Sequence, residues 1–120
     1  MIPIIGGAYQ GKLEFAKETF GITEEDVHIC GGEEIDFSKG CIYKIEEFAF
    51  ASEDPVSYFA SHREQWKDSI LICQDIFCGV VPMGAENRVW RQKTGRLCQY
   101  LSKEATRVSR IFCGLEQRLK

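Results

Sequence analysis

At 120 residues, with 44% hydrophobic and 12% aromatic side chains, the chain is long enough to bury a core and too short for a second domain of ordinary size, so one domain over residues 1–120 is expected. No apolar run approaches the roughly 18 residues of a membrane span, and nothing has the build of a signal peptide, which points to the cytoplasm. The net charge of −3 conceals an acidic stretch, 6 Lys/Arg against 15 Asp/Glu in residues 1–85, and a basic one, 9 against 3 in residues 86–120. Only Trp90 and Tyr100 sit near Arg88, Arg91, Lys93 and Arg96, so the aromatic interleaving of a nucleic-acid platform is missing.

Residues 1–5 are apolar and β-branched and read as a strand. Residues 12–20 place Leu13, Ala16 and Phe20 on one stripe and read as a helix. Between them runs Gly6-Gly7-Ala8-Tyr9-Gln10-Gly11-Lys12-Leu13. The spacing Gly6-x-x-x-x-Gly11-Lys12 is that of a phosphate loop, in which backbone N–H groups wrap an anion and a lysine adds a mobile positive charge. The helix that follows points its free N–H groups and the positive end of its dipole at whatever the loop holds. After the lysine such loops carry Ser or Thr, whose hydroxyl ligates the nucleotide's Mg²⁺; Leu13 leaves that metal to water or to another side chain. Taken alone, the segment also reads as a plain strand-to-helix turn with a solvated Lys12.

Residues 26–30 look like a second strand, closed by the turn Gly31-Gly32-Glu33-Glu34. Residues 42–51 carry both signals: β-branched and aromatic residues suggest a strand, whereas Ile42, Ile45, Phe48 and Ala49 fall on one helical face, and a helix is expected. Asp54-Pro55 reads as an N-cap followed by a first-turn proline, opening a helix through Trp66. Residues 69–73 lack polar alternation, as in a central strand covered on both faces. A loop over 75–84, the longest helix over 85–104, a strand over 107–113 and a short basic tail complete the chain. Strands alternating with helices predict a small three-layer α/β domain on a mostly parallel sheet, with loops after parallel strands as the natural place for a site.

The 6 cysteines, Cys30, Cys41, Cys73, Cys78, Cys98 and Cys113, form no C-x-x-C pair and mostly sit in apolar runs, so reduced, buried thiols are expected rather than a metal cluster. In the basic stretch, Arg88, Arg91, Lys93 and Arg96 are either the solvated face of a helix or cations turned toward a phosphorylated ligand.

Several segments then fall in a recognisable order. Gly6-Gly7-Ala8-x-x-Gly11-Lys12 is close to a GGARSGKS loop. The strand ending at Cys73 leads into Gln74-Asp75-Ile76-Phe77-Cys78-Gly79-Val80-Val81-Pro82, which looks like N-E-x-G-x-G-I-V-P. Arg88, Arg91, Gly95, Arg96 and Gln99 match the spacing of R-x-x-R-D-x-x-G-R-x-N-Q, and residues 111–120 match a terminal V-x-G-x-x-x-x-L-K. Together these resemble the adenosylcobinamide kinase/adenosylcobinamide-phosphate guanylyltransferase family of cobalamin synthesis. The resemblance implies a P-loop NTPase-like fold, ATP or GTP at the loop, a corrinoid (cobinamide) as the phosphoryl acceptor, and a homo-oligomer such as a trimer. On that basis Lys12 and Asp75 are the candidate catalytic residues, and residues 6–13 hold the nucleotide. Arg88, Arg91, Arg96 and Gln99 would contact substrate or phosphate.

Departures from the pattern are specific. Gln92 and Cys98 replace the helix Asp and Asn, Phe77 stands where the loop has glycine, and Asp75 is a shorter acid than the usual Glu. Asp75 reads equally as a loop cap or as a group ordering metal-bound water or a substrate hydroxyl. The family's guanylylated histidine lies on a His- and Arg-rich segment that has no counterpart here. His28 falls in a predicted strand, and His62, one strand before the Gly-Val-Val-Pro loop, reads as a surface helix residue. The expected activity is therefore kinase-like phosphoryl transfer, with a nucleotide- or corrinoid-holding relative of regulatory or partner-subunit role as the alternative.

Overall fold

The computed structural model describes residues 1–7, 11–32, 34–74 and 85–120, with side chains in the last helix described from Arg88 onward. Ala8, Tyr9, Gln10 and Asp75 lie outside the described residues.

Six strands form one sheet: β1 (Ile2–Gly6), β2 (Val27–Ile29), β3 (Cys41–Tyr43), β4 (Ile70–Gln74), β5 (Ser109–Phe112) and β6 (Leu115–Arg118), in the spatial order β2-β3-β4-β1-β5-β6. All neighbours pair parallel except β5 and β6, an antiparallel hairpin. Around the sheet pack α1 (Lys12–Phe20), α2 (Ile45–Ala51), α3 (Pro55–Ser61), α4 (Arg63–Trp66) and α5 (Ala85–Glu104).

Side-chain alternation divides the core in two. One face of the sheet presents Ile4, Cys41, Ile70, Ile72 and Ile111 to Ala16 of α1, with Leu13, Phe15 and Phe20 packed alongside. The other presents Ile42, Leu71 and Cys73 to Phe48 and Ala49 of α2, Phe59 of α3, Trp66 of α4, and Leu97 and Leu101 of α5. Helices on both faces make the three layers expected, and explain why residues 69–73 show no polar alternation. Pro3 sits in central β1 without breaking the ladder. The N–H of Ile2 donates to Ser69 O on the β4 side, so Pro3 faces the other side, where β5 pairs only from Ile4 onward.

Local signals account for the helix ends. Gly21, at φ 67°, closes α1 by donating its N–H to Lys17 O. Asp54 caps α3, its carboxylate accepting the Ser57 N–H at 3.2 Å, with Pro55 in the first turn as expected.

Three expectations need correction. The helix expected over 42–51 starts late: Cys41–Tyr43 is a strand between β2 and β4, and the helix begins only at Ile45. Lys44, at φ 62°, separates them with a left-handed kink that stops either element from running through. The helix expected through Trp66 breaks at His62 (φ −110°, ψ 18°), so α4 is a separate turn that swings Trp66 into the core, where its Nε1 donates to Phe59 O at 2.6 Å. The basic tail is not a tail but β6, folded back by the turn at Cys113 and Gly114, both at positive φ.

Candidate nucleotide site

At the carboxyl edge of the sheet, Gly6 ends β1 between Gln74 of β4 and Ile111 of β5. From β1 the chain passes through α1 to β2 at the far edge, whereas β4 leads through α5 to β5 on the opposite side. The two connections diverge at the end of β1, the kind of crevice in which parallel α/β sheets receive ligands.

Each loop glycine meets a different constraint. At Gly6 a Cβ would lie 2.6 Å from Ile111 O, so no side chain fits between β1 and β5 there. Gly11 has space but sits at φ 86°, a left-handed N-cap that L side chains resist. That geometry brings the chain sharply into α1, where the N-cap Gly11 offers no side-chain cap to the first-turn N–H groups.

Lys12 is only 7% exposed, and its Nζ donates to Gly7 O at 2.6 Å. The ammonium is therefore folded back over the loop's own backbone. Leu13 is half-buried and packs into the core under α1, so the position that would bear a metal-binding hydroxyl works as a hydrophobic anchor.

The basic helix separates into two parts. Arg88 and Arg91, one turn apart near the start of α5, line a cavity of about 300 Å³ together with Gln92. Arg96 and Gln99 stand about 12 and 16 Å further along the helix from Arg88, away from the edge where α5 begins. Arg96 is near Asp54, whose carboxyl it helps hold below its ordinary pKa after the larger effects of the Ser57 hydrogen bonds. Lys93 Nζ is bound to Ser52 O at 2.7 Å, which ties α5 to the end of α2.

One residue at this edge escaped the sequence reading. Glu46, in the first turn of α2, is 4% exposed; its Oε1 accepts the Gln74 N–H at 2.8 Å, and its backbone O accepts the Trp90 Nε1–H at 2.7 Å. The Cys73 thiol registers its charge. Cys73 is pushed well above its usual pKa by the hydrogen bond from Cys98, whose Sγ is 3.7 Å away, and by burial. Glu46 adds to that rise while Lys12 opposes it, so both charges act on the end of β4. The signal was present in the sequence as an acid three residues before Ala49 on an otherwise apolar helical face.

Neither histidine approaches the loop. His28 lies on edge strand β2, three strands from β1. His62 donates its Nδ1–H to Tyr58 O at 2.7 Å and stacks on Tyr58 and Phe37, with centroids 4.3 and 5.5 Å apart, so it is half-buried at a helix junction rather than a surface residue. Among the described residues no group of three His, Cys, Asp or Glu is placed to hold a metal, and no helix is long and apolar enough to cross a membrane. Cys30, Cys41 and Cys73 are buried and outside any disulfide, as expected, while Cys113 is exposed.

Residues 42–119 match the family described as cobinamide kinase / cobinamide phosphate guanyltransferase. The chain belongs to this family. Membership places it in cobalamin biosynthesis, in a P-loop NTPase-like family that uses nucleotide substrates. The matched span runs from β3 to β6 and includes the arginines of α5; the glycine loop lies before it. No curated protein matches the chain.

Proposed function

We propose that this family member binds ATP or GTP over the loop at residues 6–13 and transfers a phosphoryl group to a cobinamide-type corrinoid. The observation that supports the reading is the folded-back Lys12: a buried ammonium that donates to the Gly7 carbonyl of the loop, beside a left-handed glycine at the start of α1. An incoming phosphate offers that ammonium a charged acceptor, a stronger partner than the Gly7 carbonyl by about 1 kcal/mol or more. The helix N–H groups hold the phosphate from the other side. Arg88 and Arg91 line a surface cavity near the start of α5 and supply the planar cations that bind a second phosphate or fix the acceptor. Phosphoryl transfer depends chiefly on such positioning and charge stabilisation. When bound, Mg²⁺ would neutralise charge on the nucleotide's phosphates.

Titration of ATP and GTP into the wild type and Lys12→Ala tests the loop. Loss of at least tenfold in affinity on substitution is expected; equal affinities would remove Lys12 and the loop from the site.

A second reading, a relative that holds nucleotide without transferring it, is favoured by Leu13, which removes a metal ligand that phosphoryl transfer ordinarily uses. It predicts binding that ignores Mg²⁺ and no phosphorylated corrinoid.

A further inference from the structure

Leu13 leaves the nucleotide's cation one protein oxygen short, and the described structure contains a carboxylate suited to supply it. Glu46 is nine-tenths buried, yet it is not paired with any cation among the described residues. Isolated buried carboxylates are costly, and they persist where hydrogen bonds or a bound cation compensate them. A single hydrogen bond compensates this one: Oε1 takes the Gln74 N–H, and Oε2 has no partner among the described residues. Its position is fixed from two sides, by Gln74 at the end of β4 and by Trp90 of α5, whose indole N–H holds the Glu46 carbonyl. Gln74 pairs with Gly6 of β1 while its N–H points to the β3 side of β4, so the carboxylate stands at the end of the strand neighbouring the loop strand, with neighbouring strands about 5 Å apart.

We infer that Glu46 is the positioning carboxylate for the nucleotide's divalent cation, a role carried in this chain by α2 instead of by a hydroxyl after the loop lysine. The inference rests on the nucleotide reading of the loop. Mg²⁺ suits the donor chemistry: it takes oxygen ligands, keeps several of its waters, and is commonly bound through one or two carboxylates plus substrate phosphates. A carboxylate oxygen without a partner among the described residues, acting directly or on a metal-bound water, meets that demand. A role confined to structure would end at the Gln74 N–H, which an amide oxygen satisfies equally well. That difference separates the two roles experimentally.

The test compares wild type, Glu46→Gln and the exposed-neighbour control Glu47→Gln by calorimetric titration of ATP and GTP, each with Mg²⁺ and with EDTA, and by the fraction of Mn²⁺ bound in the presence of nucleotide, read by electron paramagnetic resonance. Glu46→Gln keeps the acceptor for Gln74, so its EDTA affinity is expected within about twofold of wild type, while the tightening by Mg²⁺ falls at least tenfold and Mn²⁺ retention is lost. Glu47→Gln is expected to behave as wild type. Glu46→Asp keeps the charge on a shorter arm and serves if the Gln variant does not fold; it should weaken the metal effect at least threefold at unchanged EDTA affinity. Full metal enhancement in Glu46→Gln, or in Glu46→Asp if only that variant folds, overturns the inference. So does a wild type that binds nucleotide equally with and without metal, which leaves the loop reading intact. A wild type that binds no nucleotide under any condition overturns both.

Discussion

Replacing Gly6 by alanine asks whether the loop begins where β1 and β5 come closest. The new Cβ would meet Ile111 O at 2.6 Å, about 1 Å inside a comfortable contact, and the atom it meets is backbone, which cannot swing aside. Relief requires β1 and β5 to separate at the Gly6–Ile111 pair, where Ile4 and Ile111 are fully or almost fully buried beside them. Overpacking of this kind costs about 1–3 kcal/mol, and the rigid partner puts this site at the upper end, about 2–3 kcal/mol. For a chain of this size that corresponds to a melting point lower by roughly 8–12 °C. Gly11→Ala provides the contrast. Its Cβ has only an ordinary 3.6 Å neighbour, so the cost is the left-handed backbone alone, about 1–2 kcal/mol. Denaturant unfolding of both variants gives the two costs, and nucleotide titration gives their effect on the loop. Gly6→Ala should be the less stable of the pair and should bind more weakly than wild type at a temperature where it remains folded. A Gly6→Ala protein as stable as wild type would refute the close-approach argument.

The remaining predictions address the core, the hairpin and the thiols. Trp66→Phe removes a hydrogen bond and part of a ring that is 1% exposed, but Phe59 O keeps the His62 N–H at 3.1 Å. A loss of about 2 kcal/mol is expected on denaturant unfolding, and less than about 0.5 kcal/mol would mean that α4 does not seat the indole as described. Glu116 accepts hydrogen bonds from Ser109 and Arg107, which hold its carboxyl below the ordinary value of 4.5. Because the folded-state pKa is the lower one, its contribution to stability is complete above about pH 4.5 and disappears as pH falls through the depressed value. The stabilities of wild type and Glu116→Gln should therefore differ at pH 7 and converge as pH falls below the ordinary carboxyl range; a gap unchanged with pH would contradict this. Cys30 and Cys41 are pushed up to about 12, chiefly by burial. Iodoacetamide at pH 8 should spare both in the native protein and label both after denaturation, as mass mapping of the peptides would show.

Much of the architecture could be read before the coordinates because its signals were local. A β-branched run, glycines and a three-to-four-residue stripe marked β1, the loop and α1, and α5 has the bounds that its pattern suggested. The misreadings share a physical cause, a choice made by tertiary packing between signals the sequence held in balance. Residues 41–49 satisfy both periods, and only the space between β2 and β4 decides that Cys41–Tyr43 extends before α2 can form. Nothing about Lys44 or His62 announces a break, since neither is Gly or Pro. β6 escaped notice because all four of its residues are exposed, leaving no alternation to detect. At the candidate site, residue type and spacing drew attention to the loop and to the arginines of α5. Glu46 showed only as an acid on an apolar helical face; that it is buried against Gln74, 28 positions away along the chain, could not be read there. Arg96 and Gln99 had the right spacing, but the direction of α5 carries them away from Arg88.

The central claim is that the loop and the sheet edge beside it bind a nucleotide and act on a corrinoid. Its most direct test is incubation of the protein with cobinamide, Mg²⁺ and either ATP or GTP, with mass spectrometric detection of the corrinoid and Lys12→Ala run in parallel. A corrinoid carrying one added phosphoryl group, formed by wild type and absent with Lys12→Ala, is the predicted result. Unmodified cobinamide with both nucleotides, from a protein shown to bind them, would contradict phosphoryl transfer and leave a nucleotide-holding member of the family.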